Sequence, residues 1–426
     1  MISYNKNIVK PMGDKKVLIF GFGREGRDTL LFLRKLFSVK TFGIADQNSN
    51  LSKYDLDRWG KIKLHLGKNY LKAIKQYDII IKSPGISPKI VAPFTKKGQI
   101  ITSQTEIFFN NCPGRIIGVT GTKGKSTTTA LIHHILKKAG FKAHLVGNIG
   151  KPSLHSLLKA QKDDWFVYEL SSHQLYGLKK SPHIGVLLDI YPEHLDYYRS
   201  FKEYALAKAN ICLWQGQNDY IVYNYKDKMV SEIVRKCRAK KIPVSGIYYE
   251  LDKAAAKAVA KILKIPDKTI DSAIKSFKSL PHRLEFVGKV RGIEFYNDSL
   301  STIPQSAIAA LDFFGNRVQT LIVGGFDRGV SFKELAKRIK QSDIKTLILF
   351  PPSGLRIAND LNKAGFPKRL SCFVVDNMKQ AVNLCFLNTQ KGKICLLSPA
   401  SASFGLFKDY ADRGDRFKRA VLSNKE

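Results

Sequence analysis

What the chain lacks narrows it first. No apolar run approaches the roughly 18 residues of a membrane-crossing helix, so an integral membrane protein is not expected. Met1 to Lys16 is polar and holds no apolar core of the kind a secretory signal carries, so a soluble cytoplasmic protein is expected. The cysteines (Cys112, Cys212, Cys237, Cys372, Cys385, Cys395) are scattered and none forms a C-x-x-C pair. Neither a disulfide framework nor a structural zinc site is signalled. There is no internal repeat, no low-complexity block and no basic tail. Acidic residues are scarce: 35 Asp and Glu stand against 71 Lys and Arg, a formal net charge of +36. Such an excess gathers anions, which admits nucleic acid, anionic membranes and polyphosphate metabolites alike. The lysines are spread along the chain, as on a solvated surface. With no nucleic-acid motif or aromatic–basic platform, neither nucleic acid nor membrane is expected as a partner.

What is present is ordinary for a protein with real cores: 426 residues, 44% hydrophobic and 25% charged, enough for two to four domains. Three segments open with a short branched or leucine-rich run and a glycine turn: Lys16-Val-Leu-Ile-Phe-Gly21, Arg115-Ile-Ile-Gly-Val-Thr120 and Thr320-Leu-Ile-Val-Gly-Gly325. Helical patterns follow them at Asp28–Leu36, Ser126–Ala139 and Phe332–Ile339. Further buried strands are expected at Tyr77–Lys82, Trp165–Leu170, Ile184–Ile190, Thr346–Phe350 and Ile394–Leu397. This alternation predicts an α/β protein with parallel sheets covered by helices on both faces. Asn110-Asn111-Cys112-Pro113-Gly114 and Leu280-Pro281-His282 read as breaks, giving domains 1–110, 111–281 and 282–426.

The strongest local signal is Val119-Thr-Gly-Thr-Lys-Gly-Lys-Ser-Thr-Thr128, after a strand and at the start of a helix. Gly121 and Gly124 let backbone N–H groups turn toward a phosphate, Lys125 supplies positive charge and Ser126 offers a hydroxyl to magnesium. The helix N-terminus adds its own partial positive charge. Val119 stands where the general phosphate-loop spacing has its first glycine, and Gly118 lies one position too early. In the first domain, Gly21-Phe-Gly-Arg-Glu-Gly26 follows a strand, with Asp46 about 20 residues on. On its own that turn fits either dinucleotide binding or close strand–helix packing.

In order after the phosphate loop come Gly147-Asn-Ile-Gly150, Glu169-Leu-Ser-Ser-His-Gln174, Asp189-Ile-Tyr-Pro-Glu-His194 and Tyr204-Ala-Leu-Ala-Lys208. Leu280-Pro-His-Arg-Leu-Glu285, Asn297-Asp-Ser299, Gly324-Gly-Phe-Asp-Arg328, Leu397-Ser-Pro-Ala-Ser-Ala-Ser-Phe404 and Arg413-Gly-Asp-Arg-Phe417 continue the series. Over nearly its whole length the chain resembles the Mur ligases. Its last block looks like the members that add D-glutamate rather than alanine or a diamino acid. The resemblance implies a Rossmann-like N-terminal domain that binds a UDP-sugar. It further implies a central ATPase-type parallel sheet and a Rossmann-like C-terminal domain that binds the amino acid. It also implies a reaction. ATP phosphorylates the carboxylate of UDP-N-acetylmuramoyl-L-alanine, and the amine of D-glutamate attacks the acyl phosphate. The other members of this class, with different amino-acid specificity, and a non-catalytic nucleotide-binding descendant are the competing readings.

Residue by residue, the resemblance assigns ATP to Gly121, Thr122, Lys123, Gly124, Lys125, Ser126, Thr127, Arg283 and Asp298. It assigns catalysis to Lys125, His194, Lys208 and Arg283, and two magnesium ions to Ser126, Glu169, His194 and a carbamylated Lys208. The UDP-sugar falls to Arg24, Glu25, Asp46, Ser83, Gly85, Asn148, Ser171 and Gln174. D-glutamate falls to Thr302, Arg328, Ser403, Phe404 and Tyr410, in a monomer. Lys208 also has a reading of its own: Phe201, Tyr204, Ala205, Lys208, Ile211 and Cys212 share one helical face, so the amine is either buried or snorkels to water. The chain departs from the family at Tyr248, Tyr249 and Asp252 near the adenine side, at Leu300 and Ile303, and mildly at Tyr410.

Overall fold

The computed structural model describes residue 9 and residues 12–51, 59–194, 197–247, 249–278 and 280–424. The chain forms two compact units, Met1–Phe277 and Lys278–Glu426.

The first unit holds two sheets. One has five strands: β1 (Val17–Phe20), β2 (Phe42–Asp46), β3 (Ile62–Leu66), β4 (Ile79–Lys82) and β5 (Ile100–Thr102), ordered β3-β2-β1-β4-β5. The other has six: β6 (Arg115–Thr120), β7 (Ala143–Gly147), β8 (Trp165–Glu169), β9 (Ile184–Leu187), β10 (Tyr220–Asn224) and β11 (Lys240–Val244), ordered β11-β10-β9-β6-β8-β7. Every recorded pairing in both is parallel. Strands buried on both faces read as unbroken apolar runs, which is why Val17-Leu-Ile-Phe20 is wholly buried. In each sheet the chain order reverses beside the strand that leads into the glycine turn, β1 or β6, where α/β sheets bind ligands.

Local differences from the sequence expectation have local causes. The first helix spans Arg24–Leu36, opening directly from the glycine turn instead of at Asp28. A Cβ on Gly26 would run into the Gly21 carbonyl, so only glycine lets turn and helix meet. Asn110 and Asn111 are not linker but the end of the helix Gln104–Asn111, capped by Ser103, whose Oγ accepts from Glu106 N at 3.1 Å. β9 stops at Leu187 because the following residues turn to the phosphate loop, where Thr122 N donates to Asp189 O at 2.7 Å.

The two sheets share one core. Phe108 packs on Phe166 and Tyr168 with ring centroids 5.2 and 5.3 Å apart. A buried polar chain runs beside it: Tyr168 OH donates to Ser153 Oγ (3.0 Å), and Asp28 Oδ2 accepts from Leu154 N (3.1 Å) and Gln104 Nε2 (2.8 Å). Such a network holds together only when its members are paired, and it ties the first helix to the central sheet. Cys212 and Cys237 are joined as a disulfide, their Cα atoms 5.8 Å apart, a pairing that no C-x-x-C spacing announces.

The second unit has one six-stranded sheet: β12 (Glu285–Val290), β13 (Ile293–Asn297), β14 (Val318–Gly324), β15 (Thr346–Phe350), β16 (Ser371–Val374) and β17 (Ile394–Leu397), ordered β12-β13-β17-β14-β15-β16. It is parallel except for the edge hairpin β12–β13. Arg291 and Gly292 make its turn with φ of 50° and 83°, the sign that two-residue hairpins require. Among the described residues, no helix is long and apolar enough to cross a membrane.

Candidate functional site

The phosphate loop leaves β6 and ends at Gly124, which caps the helix Lys125–Lys138 in the left-handed conformation, φ 78°. Lys125 Nζ curls back to donate to Thr122 O at 2.9 Å. Thr122 Oγ1 shares a hydrogen bond with Tyr204 OH (3.0 Å) and accepts from Tyr191 N (2.9 Å). These contacts pin the loop to the segment after β9. Ser126 is half-buried on the first helical turn and Thr127 is buried behind it.

Lys208 is 1% exposed, on the inner face of the helix Phe201–Ala209, which settles its packing in favour of burial. Its Nζ donates to Gly121 O at 2.8 Å and lies 4.8 Å from the Tyr204 ring centre. Burial, reinforced by Lys125 and Lys123 against the opposing pull of Glu193 and Glu169, holds the amine well below its usual range of protonation. Burial also works on the Glu193 carboxyl, upward, but Lys123, Lys125, His194 and Lys208 outweigh it and hold the acid below its ordinary value. Lys123 Nζ reaches Glu193 Oε1 at 3.3 Å, and His194 Nε2 stands 3.9 Å from Glu193 Oε2. His194 itself adopts φ 57°, with its ring 4.7 Å from that of His173. Lys125, Glu169, His194 and Lys208 therefore surround one carboxylate-and-amine cluster. Glu193 is the member to which the sequence assigns no role.

Glu169 ends β8 and is 1% exposed. Its Oε1 accepts from Asn148 Nδ2 at 3.1 Å, while its Oε2 is buried with no hydrogen-bond partner among the described residues. A buried oxygen left unpaired costs about 1–3 kcal/mol. An oxygen-loving divalent cation at this strand end would remove that cost, so the residues present fit magnesium.

The glycine turn of the first sheet carries a second cluster. Ser83 Oγ donates to Gly21 O at 2.9 Å. Asp46 spends both oxygens on backbone, accepting from Phe22 N (2.7 Å) and Asn48 N (2.8 Å), so it shapes the turn as well as ending β2. Gly85 is exposed nearby in sequence, with open space where a Cβ would stand. Arg24 donates to the carbonyls of Asn148 (3.2 Å) and Gly150. Gln174 Nε2 donates to Glu25 Oε1 at 2.7 Å, and Gln174 and Ser171 cap each other at the start of a short helix. Arg24, Glu25, Asn148, Ser171 and Gln174 are thus brought together from two sheets. Lys82, which the sequence reading passed over, is half-buried beside them with Nζ donating to Ser83 O (3.0 Å) and Ile86 O (2.6 Å). Burial pushes that amine down to about 8, against the pull of Glu25.

In the second unit, Asp298 is buried; Oδ1 accepts from Leu284 N (3.2 Å), and Oδ2 from Ser398 Oγ (2.8 Å) and Ser301 Oγ. Burial raises its carboxyl, and the Arg283 charge is the largest opposing influence. Arg328 is exposed with its guanidinium 5.7 Å from the Phe404 ring centre, and Phe326 flanks the same ring at 6.0 Å. Ser403 is buried, Thr302 half-buried and Tyr410 partly exposed. Arg413, absent from the expected set, is what joins these pieces. Wholly buried, it donates through Nε to Ser299 Oγ (2.9 Å), through Nη2 to Ser299 O (2.9 Å), and through Nη1 to Ser401 O (3.1 Å) and Ala402 O (3.3 Å). Ser299 Oγ in turn donates to Tyr410 O at 2.8 Å.

Of the departures, Asp252 is buried against the phosphate loop, where its Oδ1 accepts from Thr128 Oγ1 at 2.9 Å and a Cβ on Gly124 would collide with it. Tyr249 opens the helix Tyr249–Ile262, and Tyr248 lies outside the described residues. Ile303 precedes the helix Pro304–Phe314, and Leu300 N donates to His282 O at 3.0 Å.

Comparison with known proteins agrees in sequence and in shape. Residues 119–293 match the Mur ligase middle domain, and residues 282–401 match the Mur ligase, glutamate ligase domain. The UDP-N-acetylmuramoylalanine–D-glutamate ligase of Acetivibrio thermocellus is 31% identical over 97% of this chain and 97% of its own length. The enzyme of the same name from Clostridium tetani is 31% identical over 96% of each chain. Among solved structures, MurF ligase from Thermotoga maritima in complex with ADP superposes with a TM-score of 0.61 at 16% identity, covering 91% of this chain and 95% of that one. UDP-N-acetylmuramate–alanine ligase MurC from the same organism gives 0.58 at 17% identity, covering 96% of this chain and 100% of that one.

Proposed function

Because the chain belongs to the Mur ligase family, we propose that its clusters perform the chemistry of the D-glutamate-adding members. The protein is an ATP-dependent ligase that joins D-glutamate to UDP-N-acetylmuramoyl-L-alanine in the synthesis of peptidoglycan precursors. A carboxylate oxygen of the sugar nucleotide attacks the γ-phosphorus, and ADP leaves. The amine of D-glutamate then attacks the acyl carbon, the C–O bond to phosphate breaks, and the amine proton is released with inorganic phosphate.

Each approach sets anion against anion, so the site must hold positive charge where the reactants meet. Backbone N–H groups of Gly121, Lys123 and Gly124, with the Thr122, Lys123 and Thr127 side chains beside them, cradle the phosphates. Lys125 swings from Thr122 O to the γ-phosphate. Arg283 and Asp298 contact the nucleotide. Ser126, Glu169 and His194 would hold magnesium, which when bound neutralises phosphate and acyl-phosphate charge. Burial of Lys208 favours the neutral amine, the form that can react with carbon dioxide, losing a proton, to give a carbamate that would help hold the metal. Arg24, Glu25, Asp46, Ser83, Gly85, Asn148, Ser171 and Gln174 bind the UDP-sugar. Arg328 pairs with a D-glutamate carboxylate, and Thr302, Ser403, Phe404 and Tyr410 shape its pocket. Domains 1–110, 111–281 and 282–426 divide these tasks. Soluble nucleotide substrates support a cytoplasmic enzyme, and the proposed sites call on residues of a single chain, as a monomer would.

The observation that carries the reading is Lys208, a buried amine hydrogen-bonded to the phosphate loop and surrounded by Lys125, Glu193 and Glu169. Phosphate release measured with ATP, magnesium, UDP-N-acetylmuramoyl-L-alanine and D-glutamate, each omitted in turn, tests it. Strict dependence on all four is expected. Release that persists without D-glutamate, or is equal with L-alanine, would overturn it.

A further inference from the structure

The loop that follows β14 carries Arg328 on a segment that its own residues leave loose. Gly324, Gly325 and Gly329 take φ of 101°, 137° and 73°, and glycine gives up more freedom on ordering than any other residue. Arg328 is exposed, and no acid pairs with it among the described residues. What fixes the loop is the helix Ser353–Lys363. Ser353 donates through both N (3.1 Å) and Oγ (2.8 Å) to Gly325 O. Arg356, about one turn on, reaches the chain on both sides of Arg328: Nη1 donates to Asp327 Oδ1 (2.5 Å) and Nη2 to Val330 O (3.0 Å). Its guanidinium also lies 5.3 Å from the Phe332 ring centre. Asp327 Oδ1 accepts from Gly329 N at 2.8 Å as well, so one carboxylate oxygen ties the turn to the helix.

The place of Asp327 is a liability for such a pocket. Its carboxylate directly precedes the arginine that is to receive a carboxylate of D-glutamate. Left free, it would pair with Arg328 itself or repel the dicarboxylate substrate. Arg356 holds it instead through a charge-assisted hydrogen bond. The pair is part-exposed, at 40% and 25%, so it adds little to the stability of the fold. We propose, on the basis of the ligase reading, that Arg356 is a positioning residue for the amino acid: it neutralises Asp327 and ties it back, which leaves the Arg328 guanidinium free for the substrate carboxylate. Arg356 acts through Asp327 and the Val330 carbonyl, not by contact with the substrate.

The test is steady-state phosphate release by the whole protein, with D-glutamate, ATP and UDP-N-acetylmuramoyl-L-alanine each varied in turn. Arg356→Met raises the KM for D-glutamate about fivefold, the upper end for a part-exposed ion pair, and leaves kcat and the other two KM values within about twofold. Its melting temperature stays close to that of the wild type. In an Asp327→Asn background no rival charge remains, and the amide oxygen still accepts from Gly329 N. There the same Arg356→Met change alters the KM for D-glutamate by less than about twofold, as a double-mutant cycle reads it. Arg356→Gln is measured in parallel and gives the same pattern, so a folding failure of one variant leaves the test standing. An unchanged KM for D-glutamate, an equal rise in all three KM values, or the full rise persisting in the Asp327→Asn background overturns the proposal alone. Wild-type protein that releases no phosphate in response to D-glutamate removes the ligase reading, and the proposal with it.

Discussion

Lys208→Met keeps most of the volume of a fully buried side chain while removing its nitrogen. The structure gives both sides of the result. The amine makes one hydrogen bond, to Gly121 O, worth about 1 kcal/mol net, and its loss leaves that carbonyl unpaired at about 1–3 kcal/mol. Against this, the buried amine is held well below its usual range, and each pKa unit of that displacement is about 1.4 kcal/mol that the folded state gives up at neutral pH. These terms oppose each other, so removing the buried ionisable group offsets the lost hydrogen bond. The sign of the pH dependence follows from linkage. Between the lowered folded pKa and the unfolded value near 10.4, the unfolded chain binds more protons, so wild-type stability rises with pH there. Methionine lacks this dependence, so the melting temperature of the variant relative to wild type is highest near neutral pH and falls as pH approaches 10, in carbon-dioxide-free buffer. Turnover behaves differently: removing a group that organises charge at the reacting centre costs about 10²–10³-fold in kcat. Coupled phosphate release and differential scanning fluorimetry on the same preparation read both, and excess bicarbonate does not restore the variant. Turnover within threefold of wild type, or a fall of more than about 10 °C in melting temperature accompanying the lost activity, would refute the assignment.

Other perturbations give distinct signatures. Glu169→Gln should weaken metal binding about 10–100-fold, read by manganese paramagnetic resonance, because it removes charge from the oxygen left unpaired at the end of β8. Arg413→Met breaks a wholly buried guanidinium network and should destabilise the second unit by about 3–5 kcal/mol in urea unfolding. At temperatures where Arg413→Met or the milder Arg413→Lys stays folded, the KM for D-glutamate should rise more than that for ATP, since Ser401–Ala402 and Tyr410 lose their anchor. Glu25→Gln should stabilise the free protein. An acid raised from 4.5 to about 6 contributes stability that is present below pH 4.5 and lost as pH climbs through 6, so the variant gains up to about 2 kcal/mol at pH 7 and nothing at pH 4. Thermal melts at the two pH values check it, and an equal gain at both would contradict the cause given.

Much of this was legible in the residues because period and punctuation agreed. The runs at Val17–Phe20, Arg115–Thr120 and Val318–Gly324 are strands, each followed by a glycine turn, and the helical face that carries Lys208 is buried as its spacing predicts. The edge hairpin β12–β13 was not visible, since Gly288 and the exposed Phe286 interrupt the apolar alternation that marks a strand. Tertiary pairings stayed hidden for a different reason. Nothing in the order of residues places Glu25 on Gln174, Arg413 between Ser299 and Ala402, or Cys212 on Cys237. Glu193 went unassigned because its role as counter-charge to Lys123 and Lys125 exists only once the loops after β6 and β9 meet. The distance from the glycine turn that suggests Asp46 as a ligand contact also lets it hold the turn's own N–H, a structural role the spacing does not announce.

We propose that the phosphate loop, Glu169, His194 and Lys208 bring the γ-phosphate and a substrate carboxylate together as an acyl phosphate. It is tested most directly with UDP-N-acetylmuramoyl-L-alanine carrying ¹⁸O in its terminal carboxylate. One labelled oxygen should pass into inorganic phosphate for each amide formed, and none into ADP. Amide formation with unlabelled phosphate would rule out an acyl phosphate.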